Sequence, residues 1–187
     1  MGIEVERQWL CDPEARLPDT VGAFRAGEQT LRRISDTYYD TAARDLAGAR
    51  ASLRVRAQDG ATLVTFKQSQ SDDADGGLRR RTEIEEPLVG DFEAHPAVAA
   101  ARDLASAALE VLGTLAQERA VRVYARGGQS VEAVVDALTY PDGSREWRLE
   151  AEGDEDAVND FAEALAEAFG GLRPAATGKA AELMRRL

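Results

Sequence analysis

The sequence predicts an antiparallel α+β fold: about eight short strands, with helices inserted between hairpins. Three observations carry this. Polar and apolar residues alternate with a period of two along most of the chain, the connections are too short for parallel crossovers, and only three or four stretches keep a helical period. With 187 residues the chain suits one domain, spanning 1–187, and 44% apolar with 30% charged side chains exclude disorder, collagen and a membrane protein.

Residues 3–11 alternate Glu4, Glu6 and Gln8 with Ile3, Val5 and Trp9, interrupted only by Arg7, giving a first strand that Asp12-Pro13 stops. Residues 18–27, opened by Asp19 or Thr20 and closed by Gly27, read as a short helix, and residues 30–41 as extended. Residues 51–57 and 61–68 form a hairpin about the Asp59-Gly60 turn. Residues 71–77, SDDADGG, read as a polar loop before a strand over 78–87. The alanine-rich residues 95–112, with Pro96 at a first turn, read as helix. Strands follow over 119–126, 131–138 and 146–152, then a helix over 154–169 with Phe161, Leu165 and Phe169 on one face, then a short helix from Gly178.

Composition narrows the function. The 34 acidic and 23 basic side chains give a net charge of -11, which disfavours nucleic acid and anionic membranes as partners, so any bound anion needs a local basic cluster. One cysteine, Cys11, makes neither an internal disulfide nor a thiolate zinc site, and the lone His95 removes motifs built on paired histidines. The charged N-terminus has no apolar leader, and no apolar run approaches the ~20 residues of a membrane span, so a cytoplasmic protein is expected.

Charged pairs recur at spacing two, which a strand projects to one face: Glu4/Glu6, Arg54/Arg56, Arg81/Glu83/Glu85 and Glu150/Glu152. Any one pair fits a solvated sheet face. The faces are nearly pure in charge type, however, and like charges side by side repel unless a counter-ion or ligand stands between them. Closing the strands into a barrel brings acidic and basic faces around one lumen. Such a lumen suits a polyanion held with a divalent cation, because arginine forks grip phosphate oxygens and carboxylates grip Mg²⁺ or Mn²⁺.

The ordered set Glu4-Val5-Glu6, Tyr38-Tyr39-Asp40-Thr41, Leu53-Arg54-Val55-Arg56, Thr65-Phe66-Lys67, Arg81-x-Glu83-x-Glu85, Asp136, Glu150-x-Glu152 and Gly178-Lys179 resembles the CYTH superfamily of triphosphate tunnel metalloenzymes. That family includes thiamine triphosphatases, inorganic triphosphatases and class IV adenylate cyclases. The resemblance implies an eight-stranded closed antiparallel tunnel with helices packed outside, acting on a triphosphate-containing small molecule with Mg²⁺ or Mn²⁺. It assigns phosphate contacts to Arg54, Arg56, Arg81, Arg119 and Lys179, and metal to Glu4, Glu6, Asp136, Glu150 and Glu152, with Glu83 and Glu85 as supporting carboxylates. In the thiamine-triphosphatase branch a Tyr-Lys pair activates water, and Tyr38 with Lys67 occupies those places. A lysine acts as a base only when its pKa is lowered, which Arg54 and Arg56 favour by like-charge repulsion and bound phosphate opposes.

The sequence departs from the family where a lysine is expected: Gln8 follows the second glutamate, and Gln117-x-Arg119 stands for Lys-x-Arg. Each lost charge-assisted contact costs about 1.5–3 kcal/mol, one to two decades in affinity or rate. Other motifs fail. Thr177-Gly178-Lys179 lacks the first glycine and the hydroxyl of a P-loop, because Arg173 and Ala180 stand there, and Ser71-x-Asp73-x-Asp75-Gly76 ends on Thr82 where a calcium loop needs glutamate. His95 is expected as a cap or surface residue, and Trp9 and Trp147 as packing residues. A triphosphatase leads the expected functions, ahead of a non-catalytic triphosphate-binding module, a cyclase lacking a recognisable adenine site, and a plain interaction domain. Self-association is left open.

Overall fold

The computed structural model describes residues 2–70 and 78–187, so the loop expected at residues 71–77 lies outside the described residues. In chain order the elements are β1 (Gly2–Leu10), β2 (Thr20–Val21), β3 (Phe24–Ala26), β4 (Thr30–Asp40), α1 (Asp45–Gly48), β5 (Ala51–Gln58), β6 (Ala61–Ser69) and β7 (Leu78–Pro87). After a short 3-10 turn come α2 (Pro96–Arg102), β8 (Glu110–Arg126), β9 (Gln129–Thr139), β10 (Arg145–Gly153), α3 (Glu155–Ala168), β11 (Arg173–Pro174) and α4 (Lys179–Arg185).

Strands β8, β4, β5, β6, β7, β1, β10 and β9 are hydrogen-bonded in that order, and β9 returns to β8, so eight strands close into a barrel. Every neighbouring pair is antiparallel. The β2–β3 hairpin hangs from β8, and β11 pairs with β1. The period-two alternation sends one set of side chains into the lumen and the other outward to the helices.

The apolar outer faces are covered in two places. Ala157, Phe161 and Leu165, four apart on α3, pack on Trp9, Val135, Leu149 and Ala151. Phe161 also meets the rings of Phe24 and Tyr124 at 5.4 Å and 4.9 Å between centroids. Val98 and Ala101 of α2 cover Leu53, Val64, Phe66 and Ile84. Each fully buried Leu, Val or Phe in these layers contributes roughly 1.5–3 kcal/mol of transfer free energy. A third cluster lies inside the barrel: Leu183 of α4 packs with Tyr38, Leu115, Leu138 and Tyr140, filling one end.

Two expected helices are corrected. Residues 18–27 form the β2–β3 hairpin, because Gly22 turns with φ +54° and a Cβ there would lie 2.8 Å from the Ala164 Cβ. Val21 and Phe24, three apart, imitate a helical stripe but are the two buried positions of a turn pressed on α3. The helix expected over residues 95–112 ends at Arg102. Beyond it the backbone is held by Asp45, which accepts from Ser106 N at 2.7 Å and Ser106 Oγ at 2.6 Å, and strand pairing to β4 begins at Glu110. His95 caps α2 as expected, its Nδ1 accepting from Ala97 N at 3.2 Å. Among the described residues no helix is long and apolar enough to cross a membrane.

Candidate active site

Closure gathers the charged faces around a lumen cavity of about 280 Å³. Among the described residues seven acids and seven bases line it, and they are sorted by strand. Arg32, Arg54, Arg56, Lys67 and Arg119 come from β4, β5, β6 and β8, whereas Glu4, Glu6, Glu83, Glu85, Glu132, Glu150 and Glu152 come from β1, β7, β9 and β10. Arg81 of β7 and Lys179 at the start of α4 stand among the acids.

Two buried aspartates anchor the bases from behind. Arg56 donates through Nε and Nη2 to both oxygens of Asp36, each at 2.8 Å, and Arg54 Nη1 approaches Asp36 at 3.4 Å. Burial alone would raise the Asp36 carboxyl, but Arg54 and Arg56 outweigh it and hold it well below the usual carboxylate range. Arg119 grips Asp136 in the same way, with both bonds at 2.7 Å, and Lys179 Nζ bonds Asp136 and Glu150 at 2.5 and 3.0 Å. Asp136, expected beside the ions, is 0% exposed and lies behind Arg119 and Lys179, outside the residues lining the lumen.

On the acidic side Arg81 bonds Glu4 and Glu6, and Lys67 Nζ bonds Glu4 and lies 3.0 Å from Glu83. Lys67 therefore faces carboxylates and not only Arg54 and Arg56. Burial opposes ionisation of Glu4, but Arg81 and Lys67 prevail and bring it down to about 2. Burial prevails at Glu6, reinforced by Glu4 and Glu150, so its carboxyl is raised despite Arg81. Glu152 opens to water at the mouth, yet desolvation by the surrounding wall and the charges of Glu4, Glu6 and Glu83 push it up to about 7.

Tyr38 is 4% exposed and reaches the lumen from the plugged end, its hydroxyl bonded to Arg54. Burial, with Asp36 nearby, raises its phenol and keeps it a neutral donor. Gln8 Nε2 donates to Glu6 Oε1 at 2.6 Å and Gln117 Nε2 donates to Asp36, so each amide binds a carboxylate where the family lysine would stand. Glu85 accepts from Thr65 Oγ1 at 2.7 Å.

The donor set fits a hard divalent cation. Glu4, Glu6, Glu150 and Glu152 supply only oxygen ligands, the donor type that Mg²⁺ and Mn²⁺ prefer. Among the described residues no three acidic, histidine or cysteine side chains already converge as a cage, because arginine and lysine hold several of these acids. The closed barrel thus brings every site residue expected from the sequence to the lumen or directly behind it. Sequence reading missed Asp36, Arg32 and Glu132, and named Thr65 only within the Thr65-Phe66-Lys67 run without a role. Asp36 shares a strand face with Tyr38 and Asp40, which was the available signal.

The CYTH domain family matches residues 2–183. A candidate adenylyl cyclase from Hippeastrum, HpAC1, described as having a dominant triphosphatase activity, has a similar structure at 21% identity and TM-score 0.73, covering 98% of this chain and 96% of that one. A candidate adenylate cyclase from Bacillus halodurans is similar at 22% identity and TM-score 0.71, covering 97% and 98%. The PH1819 protein of Pyrococcus horikoshii follows at 18% identity and TM-score 0.60, covering 98% and 99%. The search of curated proteins gave no match. Closed barrel, sorted lumen and a match along nearly its whole length together place this chain in the CYTH domain family.

Proposed function

We propose that the protein is a divalent-metal-dependent triphosphatase that hydrolyses a terminal phosphoanhydride of inorganic tripolyphosphate or an organic triphosphate in the lumen. The observation that carries this is the division of one enclosed cavity into a guanidinium wall and a carboxylate wall. Arg54, Arg56, Arg81, Arg119 and Lys179 bind phosphate oxygens and neutralise the charge that develops on them in an in-line displacement. Glu4, Glu6, Glu150 and Glu152 hold Mg²⁺ or Mn²⁺, Asp136 orients Arg119 and Lys179 and completes the acidic side, and Glu83 and Glu85 position Lys67 and Arg54. Bound Mg²⁺ or Mn²⁺ supplies Lewis-acid charge against the phosphate oxygens. The Tyr38 hydroxyl and Lys67 Nζ orient the attacking water.

The described Hippeastrum triphosphatase activity agrees with this reading. Phosphate release from tripolyphosphate, thiamine triphosphate and ATP with Mg²⁺ or Mn²⁺, compared with Lys67→Ala, tests it. Release that Lys67→Ala cuts by at least about a hundredfold is expected, the scale of a misplaced attacking group. Absence of release from all three substrates refutes it.

Gln8 and Gln117 favour a second reading, a non-catalytic module that holds a triphosphate, since each amide replaces a cation of the family pattern. A metal-dependent melting shift without phosphate release identifies that module. Cyclic AMP from ATP without orthophosphate identifies a cyclase.

A further inference from the structure

The largest fully buried side chain among the described residues is an arginine, Arg148, 1% exposed. It continues the inward face of β10 below Glu150 and Glu152, on the side of α4, and lies outside the residues lining the cavity. Its Nε donates to Glu146 Oε1 at 2.6 Å, and its Nη1 donates to Thr177 O at 2.7 Å and approaches Gln8 Oε1 at 3.4 Å. Burial opposes its charge, but Glu146 prevails and keeps the guanidinium protonated. One cation thus joins β10, β1 and the segment that leads into α4.

Two of these acceptors lead directly to lumen groups. Thr177 precedes Gly178-Lys179, and Lys179 Nζ stands in the lumen on Asp136 and Glu150. The same segment is tied to β1 by Ala175 N, which donates to Gln8 O at 2.9 Å, and a Cβ on Gly178 would lie 3.0 Å from Arg79 Nη1, so it has little room to shift. Gln8 Oε1 faces Arg148, which turns Nε2 of the same amide toward Glu6 Oε1 at 2.6 Å. We infer that Arg148 is a positioning residue of the triphosphate site: through Thr177 it sets where the Lys179 ammonium stands, and through Gln8 it sets the hydrogen bond that Glu6 accepts. The inference rests on the triphosphate reading of the lumen. Arg186 provides a comparison, because it fastens the other end of α4, bonding Ser144 Oγ at 2.5 Å, Glu182 at 2.7 Å and Glu146 Oε2 at 3.2 Å.

Tripolyphosphate affinity, measured by calorimetry in EDTA and again with Mg²⁺, tests it. Arg148→Lys keeps a charge opposite Glu146 but has no planar fork to hold separate acceptors in fixed directions, and Arg148→Met leaves Glu146 with Arg186 and Tyr140 as partners. Each variant is expected to bind at least about tenfold more weakly than the wild type, the scale of one misdirected charge-assisted contact. Arg186→Ala loosens α4 at its other end and is expected to lower the melting temperature yet bind within about threefold of the wild type. Added to Lys179→Ala, either Arg148 substitution is expected to cost less than about twofold more in EDTA, since the ammonium it directs is gone. Wild-type affinity in a folded Arg148 variant, losses that add in full to that of Lys179→Ala, or an equal loss in Arg186→Ala overturns the inference and leaves Arg148 a general stabiliser. A wild type that binds no tripolyphosphate under either condition overturns the triphosphate reading and the inference together.

Discussion

Asp36→Asn is the sharpest probe of how the basic wall is held. The Asp36 side chain is 0% exposed and carries Arg56 on two 2.8 Å bonds, Arg54 at 3.4 Å and the Gln117 amide. Asparagine keeps the shape and removes the charge, leaving two guanidiniums on neighbouring positions of β5 with no buried counter-charge behind them. Breaking a buried pair from one side costs about 3–5 kcal/mol. For a chain of this length that corresponds to a melting temperature about 6–20 °C lower.

The pH dependence has a definite sign. Because the folded carboxyl of Asp36 is depressed, its contribution is complete above the ordinary aspartate range and fades as acid protonates it in the folded state. The stability gap between wild type and variant, measured by urea unfolding, is therefore wide at pH 7 and narrows below about pH 4. Tripolyphosphate should also raise the variant's melting temperature more than the wild type's, since it replaces the missing counter-charge. A gap under about 1 kcal/mol at pH 7, or one that does not narrow in acid, refutes the argument.

Three further outcomes are expected. Gln8→Lys places an ammonium beside Glu6 and should tighten tripolyphosphate binding by one to two decades, about 1.5–3 kcal/mol; unchanged or weaker binding in calorimetry removes position 8 from the site. Glu152, raised to about 7, costs the folded state increasingly as pH climbs from the ordinary glutamate range through neutrality, so metal-free melting temperature should fall over that interval. Glu152→Gln flattens the fall, and an unaltered slope in a pH series of melting curves excludes Glu152 as its source. Gly22→Val should destabilise by more than about 1 kcal/mol in urea unfolding, through its left-handed φ and the contact with Ala164, whereas a neutral result contradicts the tight turn on α3.

What the sequence reveals here is what a strand's own repeat encodes. Glu4/Glu6, Arg54/Arg56 and Glu150/Glu152 announce their shared faces by spacing alone, and Asp59-Gly60 announces its turn, with φ +50° and +80° as a tight hairpin needs. Partner choice is different. That Asp36 holds Arg56, or that Lys67 reaches Glu4 and Glu83, follows from strand order and register, which no local pattern carries. The same limit explains the two misread helices. The spacing of Val21 and Phe24 is ambiguous until α3 covers them, and the alanine run stays helical only as far as Arg102 because strand pairing to β4 claims the chain from Glu110.

The position of β1 between β7 and β10 bears on how the molecule is assembled. β1 is made before both of its neighbours and gains the second only after residues 145–153 have emerged, so a nascent chain carries an open cylinder until then. Such late, sequence-distant pairing is slow, and it exposes unsatisfied backbone at two margins in the interval. Dense charge on the inner wall disfavours self-adhesion during that wait, so the side chains that equip the finished lumen also guard its unfinished precursor against aggregation.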